Sequence, residues 1–186
     1  MENKTLYTIT IFSENMVGLL NQITIIFTRR RLNIETLSVS PSAIEGIHKF
    51  TITAFSDQDT IEKVVKQIDK RVGIIKTFCN TDEGLVHREI AMYKVPTDKL
   101  MQLGSIADIM SRYNARILEM TSDYTVFSKT GHYEDTQAMF NELKERVGVL
   151  QFIRSGRVAI TKEKVERLSD MLAVMEKRVK HTDENI

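Results

Sequence analysis

The chain has 186 residues, a formal net charge of +1 and 42% hydrophobic residues. This length accommodates one large or two small domains, and the apolar content is ordinary for a soluble globular protein with a core. Because acidic and basic groups almost cancel, the chain has no global attraction for nucleic acid or for an anionic membrane. The composition therefore argues against both as partners.

The sequence has no feature that predicts export or membrane insertion. No apolar run approaches the roughly 20 residues that span a bilayer. The N-terminal residues lack the basic and apolar regions of a secretory signal. Cys79 is the single cysteine, so no intrachain disulfide can form. Together these features predict a cytoplasmic protein.

The first half of the chain has the pattern of a small α+β domain. Residues 6–12 alternate between two faces, which predicts a strand, and residues 19–31 have helical apolar spacing. The elements that follow are a strand, a strand, a helix and a strand, at 33–40, 48–55, 61–72 and 74–79. Ser56 and Asp59 resemble a capping box for the second helix. This order predicts a ferredoxin-like βαββαβ unit.

The second half repeats this order after a polar turn at 80–84. Its predicted strands and helices lie at 89–95, 96–110, 116–121, 124–129, 136–147 and 149–153, and a short strand follows at 156–161. Residues 163–179 form a charged helical pattern with a narrow apolar stripe. The predicted class is α+β, with two ferredoxin-like βαββαβ domains and a C-terminal helix. The predicted boundaries are 5–80 for the first domain, 81–87 for a linker, 88–162 for the second domain and 163–186 for the helix and tail.

The loop at 14–18 is the first candidate site because it joins a strand to a helix. A helix start presents free backbone N–H groups and the positive end of the helix dipole, which suit the carboxylate of an amino acid. Asn15 offers both a donor and an acceptor, and Gly18 lets a ligand approach the backbone. The same two residues are also explained by an ordinary turn. The pattern alone leaves both interpretations open.

No spacing in the chain predicts a catalytic or metal site. The histidines lie far apart in the sequence, at His48, His87, His132 and His181. There is no glycine-rich phosphate loop, and Cys79 lies in a predicted strand, where it is expected to be a small core residue. RNA binding, another function of ferredoxin-like units, lacks its aromatic and glycine signature here. The prediction is a chain without catalytic residues or a bound metal.

Several motifs resemble one protein family. In the first half they are Glu14-Asn15-x-x-Gly18-x-Leu20 and Phe27-x-x-Arg30-x-x-Asn33-Ile34-Glu35-x-Leu37-x-Val39; in the second half they are Arg88-Glu89-Ile90-x-Met92-x-Lys94-Val95 and Arg154-Ser155-Gly156. The first pair is similar to the ACT domain of the acetolactate synthase small subunit, and the second pair resembles the C-terminal domain of that family. Arg31 departs from the family pattern, in which a glycine is common at this position.

The resemblance implies a regulatory subunit of a transferase in branched-chain amino acid biosynthesis. The family's large catalytic subunit condenses two 2-oxoacids and carries thiamine diphosphate, with Mg and FAD expected there and no cofactor expected in this chain. The small subunit activates the large one and confers feedback inhibition by valine, or by leucine or isoleucine. The alternative is a stand-alone ACT-domain sensor that regulates another enzyme or transcription.

The resemblance also implies where the effector binds. ACT domains pair as homodimers, and effectors bind at the pairing surface. Carried over by motif, the effector-binding residues are Asn15, Met16, Val17, Gly18, Leu19, Leu20, Asn33 and Ile34. Asn33 would reach the effector from the partner chain. For the helix at 163–179, the hypothesis is that it docks on the large subunit or pairs between small subunits.

Overall fold

The computed structural model of the chain describes residues 4–102, 106–162 and 173. Two compact units are present. One holds the described residues up to Val86 and from Ala159 onward, and the other extends from His87 to Val158. Each unit contains an antiparallel sheet with strands and helices in a βαββαβ order, which confirms the predicted α+β class.

The N-terminal unit contains the six elements that the sequence predicted. They are β1 (Thr5–Glu14), α1 (Leu19–Arg29), β2 (Thr36–Pro41), β3 (Ile47–Ser56), α2 (Gln58–Asp69) and β4 (Ile74–Asn80). The strand order is β2-β3-β1-β4, so β2 and β3 form the predicted hairpin and β2 lies at an edge. The observed β1 is longer than predicted at both ends, and β2 begins three residues later than predicted.

Both faces of β1 are buried. Ile9 and Ile11 pack with the apolar residues of α1 and α2, as the alternation predicts. Thr8 and Thr10 on the opposite face are also buried. On that face Lys49, which is paired with β1 across the sheet, donates a hydrogen bond to the carbonyl of Ala159 at 3.1 Å. The part of the second face around Thr8 and Thr10 is therefore covered within the chain.

The cap of α2 differs from the predicted one. Ser56 is the last residue of β3 and is buried, with a hydroxyl that has no hydrogen-bond partner. Asp57 is the N-cap, and its carboxylate accepts a hydrogen bond from the Thr60 N–H at 2.8 Å. This hydrogen bond lowers the pKa of Asp57. The predicted capping box of Ser56 and Asp59 is wrong because the strand continues one residue further than its pattern indicated.

Helix α1 ends in a turn that requires a left-handed residue. The N–H of Leu32 donates to the carbonyl of Phe27, and the N–H of Arg31 donates to Thr28, which is the hydrogen-bond pattern of a Schellman motif. Arg31 is the left-handed residue, with φ of 55°. Glycine is preferred at such positions because it has no Cβ to clash. Arg31 is also one of the positions at which the sequence departs from the resembled family.

We expect Arg31→Gly to raise the free energy of unfolding by about 0.5–1 kcal/mol, because it removes the strain of a side chain at positive φ. The measurement is the midpoint of urea unfolding. Asn114→Gly is the matched control: Asn114 has φ of 48° after a helix, but Asn tolerates this conformation and the gain should be smaller. A lower midpoint for Arg31→Gly would contradict the prediction.

The C-terminal unit has the same arrangement of elements. After a short 3-10 helix at Asp82–Gly84 come β5 (Leu85–Pro96), α3 (Thr97–Gln102), α4 (Ile106–Tyr113), β6 (Arg116–Met120), β7 (Tyr124–Gly131), α5 (Tyr133–Arg146) and β8 (Gln151–Arg154). The last strand, β9 (Val158–Thr161), lies almost entirely in the part of the chain that returns to the N-terminal unit. The strand order is β6-β7-β5-β8, and β9 also pairs with β5. Because β5 begins at Leu85, the last part of the predicted linker lies in a strand. The predicted helix at 163–179 lies outside the described residues.

The core of this unit lies on one face of its sheet. Alternate residues of β5 point to this core, and Tyr93 is completely buried there with Phe127 and Leu143. The Tyr93 hydroxyl donates to the carbonyl of Thr136 at 2.8 Å, which satisfies the one polar atom of its side chain. The opposite face of the sheet has the exposed residues.

Candidate functional site

The candidate site is the loop between β1 and α1. Gly18 is the N-cap of α1 with φ of 83°, a left-handed conformation that favours glycine. Gly18 has no side chain that could cap the helix, so no N-cap side chain accepts a hydrogen bond from the first N–H groups of α1. The structure therefore places a helix start at this loop, and the binding of an anionic group there stays a prediction.

Two backbone hydrogen bonds hold this loop in place. The N–H of Glu14 donates to the carbonyl of Gly73 at 2.8 Å, and the N–H of Asn15 donates to the carbonyl of Gly46 at 2.9 Å. The pairing register between β1 and β4 shifts between Phe12 and Ser13, just before these two hydrogen bonds. These hydrogen bonds attach the start of the loop to the turns at Gly46 and Gly73.

Most of the predicted effector residues in this loop are exposed. Asn15, Met16, Val17, Gly18 and Leu20 are accessible, and the Val17 side chain has no shielding at all. Leu19 differs from these, because its side chain is in the core and its N–H donates to the Met16 carbonyl at 3.3 Å. Leu19 therefore anchors the helix start rather than presenting an apolar surface.

Asn33 and Ile34 lie at the other end of α1. The Asn33 amide donates to the Glu35 carboxylate at 3.0 Å and is exposed, and Ile34 packs partly against the core. Helix α1 has 11 residues, which corresponds to a length of about 16 Å. Within one chain the structure therefore does not bring Asn33 and Ile34 together with Asn15 and Gly18.

Gly46 and Gly73 are the residues of this site that sequence reasoning missed. Gly73 has φ of 82°, and a Cβ there would lie 2.5 Å from the sulfur of Met16. The Met16 side chain thus occupies the space above Gly73. The available signal was a glycine immediately before a predicted strand, where a tight turn or a close approach is common. That Gly73 lies close to loop 14–18 could not be deduced from the sequence.

The two motifs of the second half meet in the structure. Arg154 of β8 lies beside β5, and its Nε is 3.1 Å from the Glu89 carboxylate. Thr136 also donates a hydrogen bond to Glu89. Next to this pair, the hydroxyl of Ser155 accepts a hydrogen bond from the N–H of Ile90 at 3.0 Å. These motif residues therefore connect β5, β8 and α5, which indicates a structural role.

The described residues contain no group of three or more side chains that could hold a metal ion. His87 and His132 are close, with ring centroids 4.8 Å apart, although the sequence separates them widely. Burial raises the pKa of the Cys79 thiol to about 11, so Cys79 is a core residue and a poor nucleophile. Of the helices described, none is long and apolar enough to cross a membrane.

Comparison with known proteins places each unit in a family. Residues 9–76 match the model of the AHAS small subunit-like ACT domain, and residues 88–163 match the model of the small subunit of acetolactate synthase. The N-terminal unit is thus an ACT domain.

Relatives that align with most of the chain belong to the same family as both matches. A probable acetolactate synthase small subunit of Archaeoglobus fulgidus is 31% identical over 158 residues, covering 84% of this chain and 96% of the relative. The Bacillus subtilis small subunit is 27% identical and covers 87% of this chain and 93% of its own length. The crystal structure of the small subunit from Thermotoga maritima superposes with a TM-score of 0.76 at 26% identity, over 86% of this chain and 99% of that one. The chain belongs to the acetolactate synthase small subunit family.

Proposed function

We propose that this chain activates a thiamine-diphosphate-dependent catalytic subunit and makes it sensitive to a branched-chain amino acid. The observation that carries the proposal is loop 14–18, in which a glycine-capped helix start lies beside the exposed Asn15. The match of residues 88–163 to the small-subunit model favours this function over a stand-alone ACT sensor, because that sensor function does not account for the second unit.

The chemistry of the loop suits valine, leucine or isoleucine. The free N–H groups at the start of α1 and the Asn15 amide are donors for the ligand's carboxylate. The Asn15 carbonyl oxygen can accept from its ammonium group. Met16, Val17 and Leu20 offer exposed apolar surface to a branched side chain. Gly18 lets the ligand approach the backbone closely.

We infer that the effector site is completed by a second copy of the ACT domain. Strand β2 lies at the edge of the sheet with Leu37 and Val39 exposed, and α1 exposes Leu20 and Ile25. Pairing of two copies along this edge would satisfy its free backbone groups and cover these side chains. The pairing would also allow Asn33 and Ile34 of the second copy to reach loop 14–18.

The shared site explains how an effector would act on the enzyme. An amino acid held by two chains stabilises one arrangement of the dimer, and it changes activity only if that arrangement is coupled to the catalytic subunit. Such coupling is typically worth about 1–3 kcal/mol. In this proposal the catalytic subunit holds thiamine diphosphate, Mg and FAD, and the chain described here acts without a cofactor.

We expect valine to bind the purified chain saturably, and Asn15→Ala to weaken that binding roughly 10- to 100-fold, because hydrogen bonds to charged groups contribute about 1.5–3 kcal/mol. Isothermal titration calorimetry with valine, leucine and isoleucine measures this, with and without the catalytic subunit. Inhibition of the holoenzyme should become weaker by the same factor.

Asn141→Ala is the matched control, since Asn141 is an exposed asparagine in α5 of the other unit. This variant should bind valine normally. Absence of binding by all three amino acids, both in the folded chain and in the holoenzyme, would refute the effector site. Failure of the chain to bind or activate the catalytic subunit would refute the regulatory function itself.

A further inference from the structure

His48 lies at the end of β3 that is nearest to loop 14–18. Phe50, two residues further along the strand, belongs to the core that α1 and α2 cover. Because successive side chains of a strand alternate between faces, His48 lies on this helix-covered face as well. It is opposite Ser13 on β1 and Pro41 on β2. A histidine therefore occupies the first position of β3 on the face where the periodicity places apolar residues.

His48 is also close to the start of α1. The loop leaves β1 one residue after Ser13, and α1 then returns across the same face of the sheet with Leu19 in the core. The N–H of Asn15 donates to the carbonyl of Gly46, two residues before His48. The pair of Ser13 and His48 is the last one of β1 and β3 on the helix-covered face. The imidazole is therefore the side chain of β3 nearest to the loop on that face.

The His48 ring is available to a ligand because it is only half-buried. None of the described side chains forms a hydrogen bond or an ion pair with it. The histidines of the other unit differ, since His87 and His132 contact each other with ring centroids 4.8 Å apart. A neutral imidazole has one donor and one acceptor nitrogen. The polar atoms of His48 can therefore bond to a molecule that binds beside the loop.

The charges around His48 suit an anionic group. The residues of β1, β2 and β3 on the helix-covered face include no acid, and α1 has no acid in its first turn. Glu14 belongs to the next pair of the two strands and therefore lies on the opposite face, and Glu45 is exposed in the turn between β2 and β3. Lys70 and Arg71 are in the turn before β4, at the same end of the sheet. A ligand carboxylate beside His48 would therefore meet the positive end of the helix dipole and no like charge on this face.

We propose that His48 binds the carboxylate of the amino acid held at loop 14–18, so that the effector binds more tightly as the pH falls. The inference rests on the proposed effector site. A neutral imidazole donates a hydrogen bond to a carboxylate, and an imidazolium adds an opposite charge to that bond. Effector binding therefore favours the protonated ring. The complex takes up protons where histidine side chains ordinarily titrate, at about pH 6.5.

The test is calorimetric titration of valine into the full-length chain at several pH values. We expect the affinity to be about three- to tenfold higher at about pH 6 than at about pH 8. Titrations near pH 6.5 in buffers of different ionisation enthalpy measure proton uptake directly. The expected uptake is a fraction of one proton per valine. Neither charged group of valine titrates in this range, so this proton binds to the protein.

His48→Gln retains a hydrogen-bond donor but cannot take up a proton. At about pH 8 its affinity should stay within about threefold of the wild type, while the proton uptake and the pH dependence should disappear. His48→Ala removes the donor and should lose about tenfold in affinity. His87→Gln is the matched control, because His87 is also half-buried but belongs to the C-terminal unit. This variant should keep both the affinity and the proton uptake of the wild type.

The same pH profile and proton uptake in the wild type and in His48→Gln would overturn the proposal. Weak binding by His48→Ala beside a wild type that takes up no proton would also overturn it, because His48 would then only support the shape of the loop. A folded wild-type chain that binds none of the three branched-chain amino acids, alone or with the catalytic subunit, would instead refute the proposed effector site.

Discussion

Glu89→Ala is expected to lower the free energy of unfolding of the C-terminal unit by about 3 kcal/mol, because removing one partner of a buried ion pair leaves the other charge uncompensated. Glu89 and Arg154 are largely buried, with 10% and 18% of their side chains exposed. The Arg154 Nε is poorly aligned for a hydrogen bond to the carboxylate, so the attraction is mainly between charges. Thr136 would lose one of its two hydrogen-bond acceptors and keep the carbonyl of Tyr133 at 2.9 Å.

Urea unfolding followed by tyrosine fluorescence measures this loss, since the chain has no tryptophan and Tyr93 reports on the same core. Glu62→Ala is the control, because the Glu62–Lys66 pair is exposed, at 3.7 Å, and should contribute less than about 0.5 kcal/mol. The double variant Glu89→Leu with Arg154→Met should recover much of the stability. A Glu89→Ala chain as stable as the Glu62→Ala chain would contradict the structural role.

Gly73→Ala is expected to weaken valine binding about tenfold while the chain stays folded. A Cβ at this position would displace Met16, whose sulfur lies in the space that the new methyl group would need. Because Met16 is a flexible and partly exposed side chain, it can move at little cost to the fold. That movement would change the shape of loop 14–18, where we propose that the effector binds. Calorimetry gives the affinity, and the thermal midpoint gives the stability.

Gly148→Ala is the control that distinguishes the displacement of Met16 from the backbone strain of an alanine at positive φ. Gly148 has φ of 80°, almost the same as Gly73, but a Cβ there would meet nothing within 4 Å. Both variants should lose roughly 1–2 kcal/mol of stability from the left-handed backbone, and only Gly73→Ala should lose affinity. Equal affinities of the two alanine variants would rule out a positioning role for Gly73.

The sequence predicted most elements of both units because their signals are local. The alternation in β1 and the helical spacing in α1 depend on residues a few positions apart, and the fold follows from their order. The predicted boundaries of the helices and strands were less accurate. The cap of α2 was assigned one residue too early, since a buried Ser56 at the end of β3 resembles a capping residue in sequence. The family motifs led to the family that the comparisons show.

By itself, the sequence determined the α+β class, the repeated βαββαβ order, the family and the loop that begins at Glu14. Only the tertiary structure decided that Gly73 supports this loop, that Glu89 pairs with Arg154, and that His48 lies opposite Ser13 near the end of β1. The physical reason is that each of these contacts joins residues far apart in the chain. Hydrophobic periodicity indicates which face of a helix or strand is buried. Strand register and helix packing decide which distant residues contact that face.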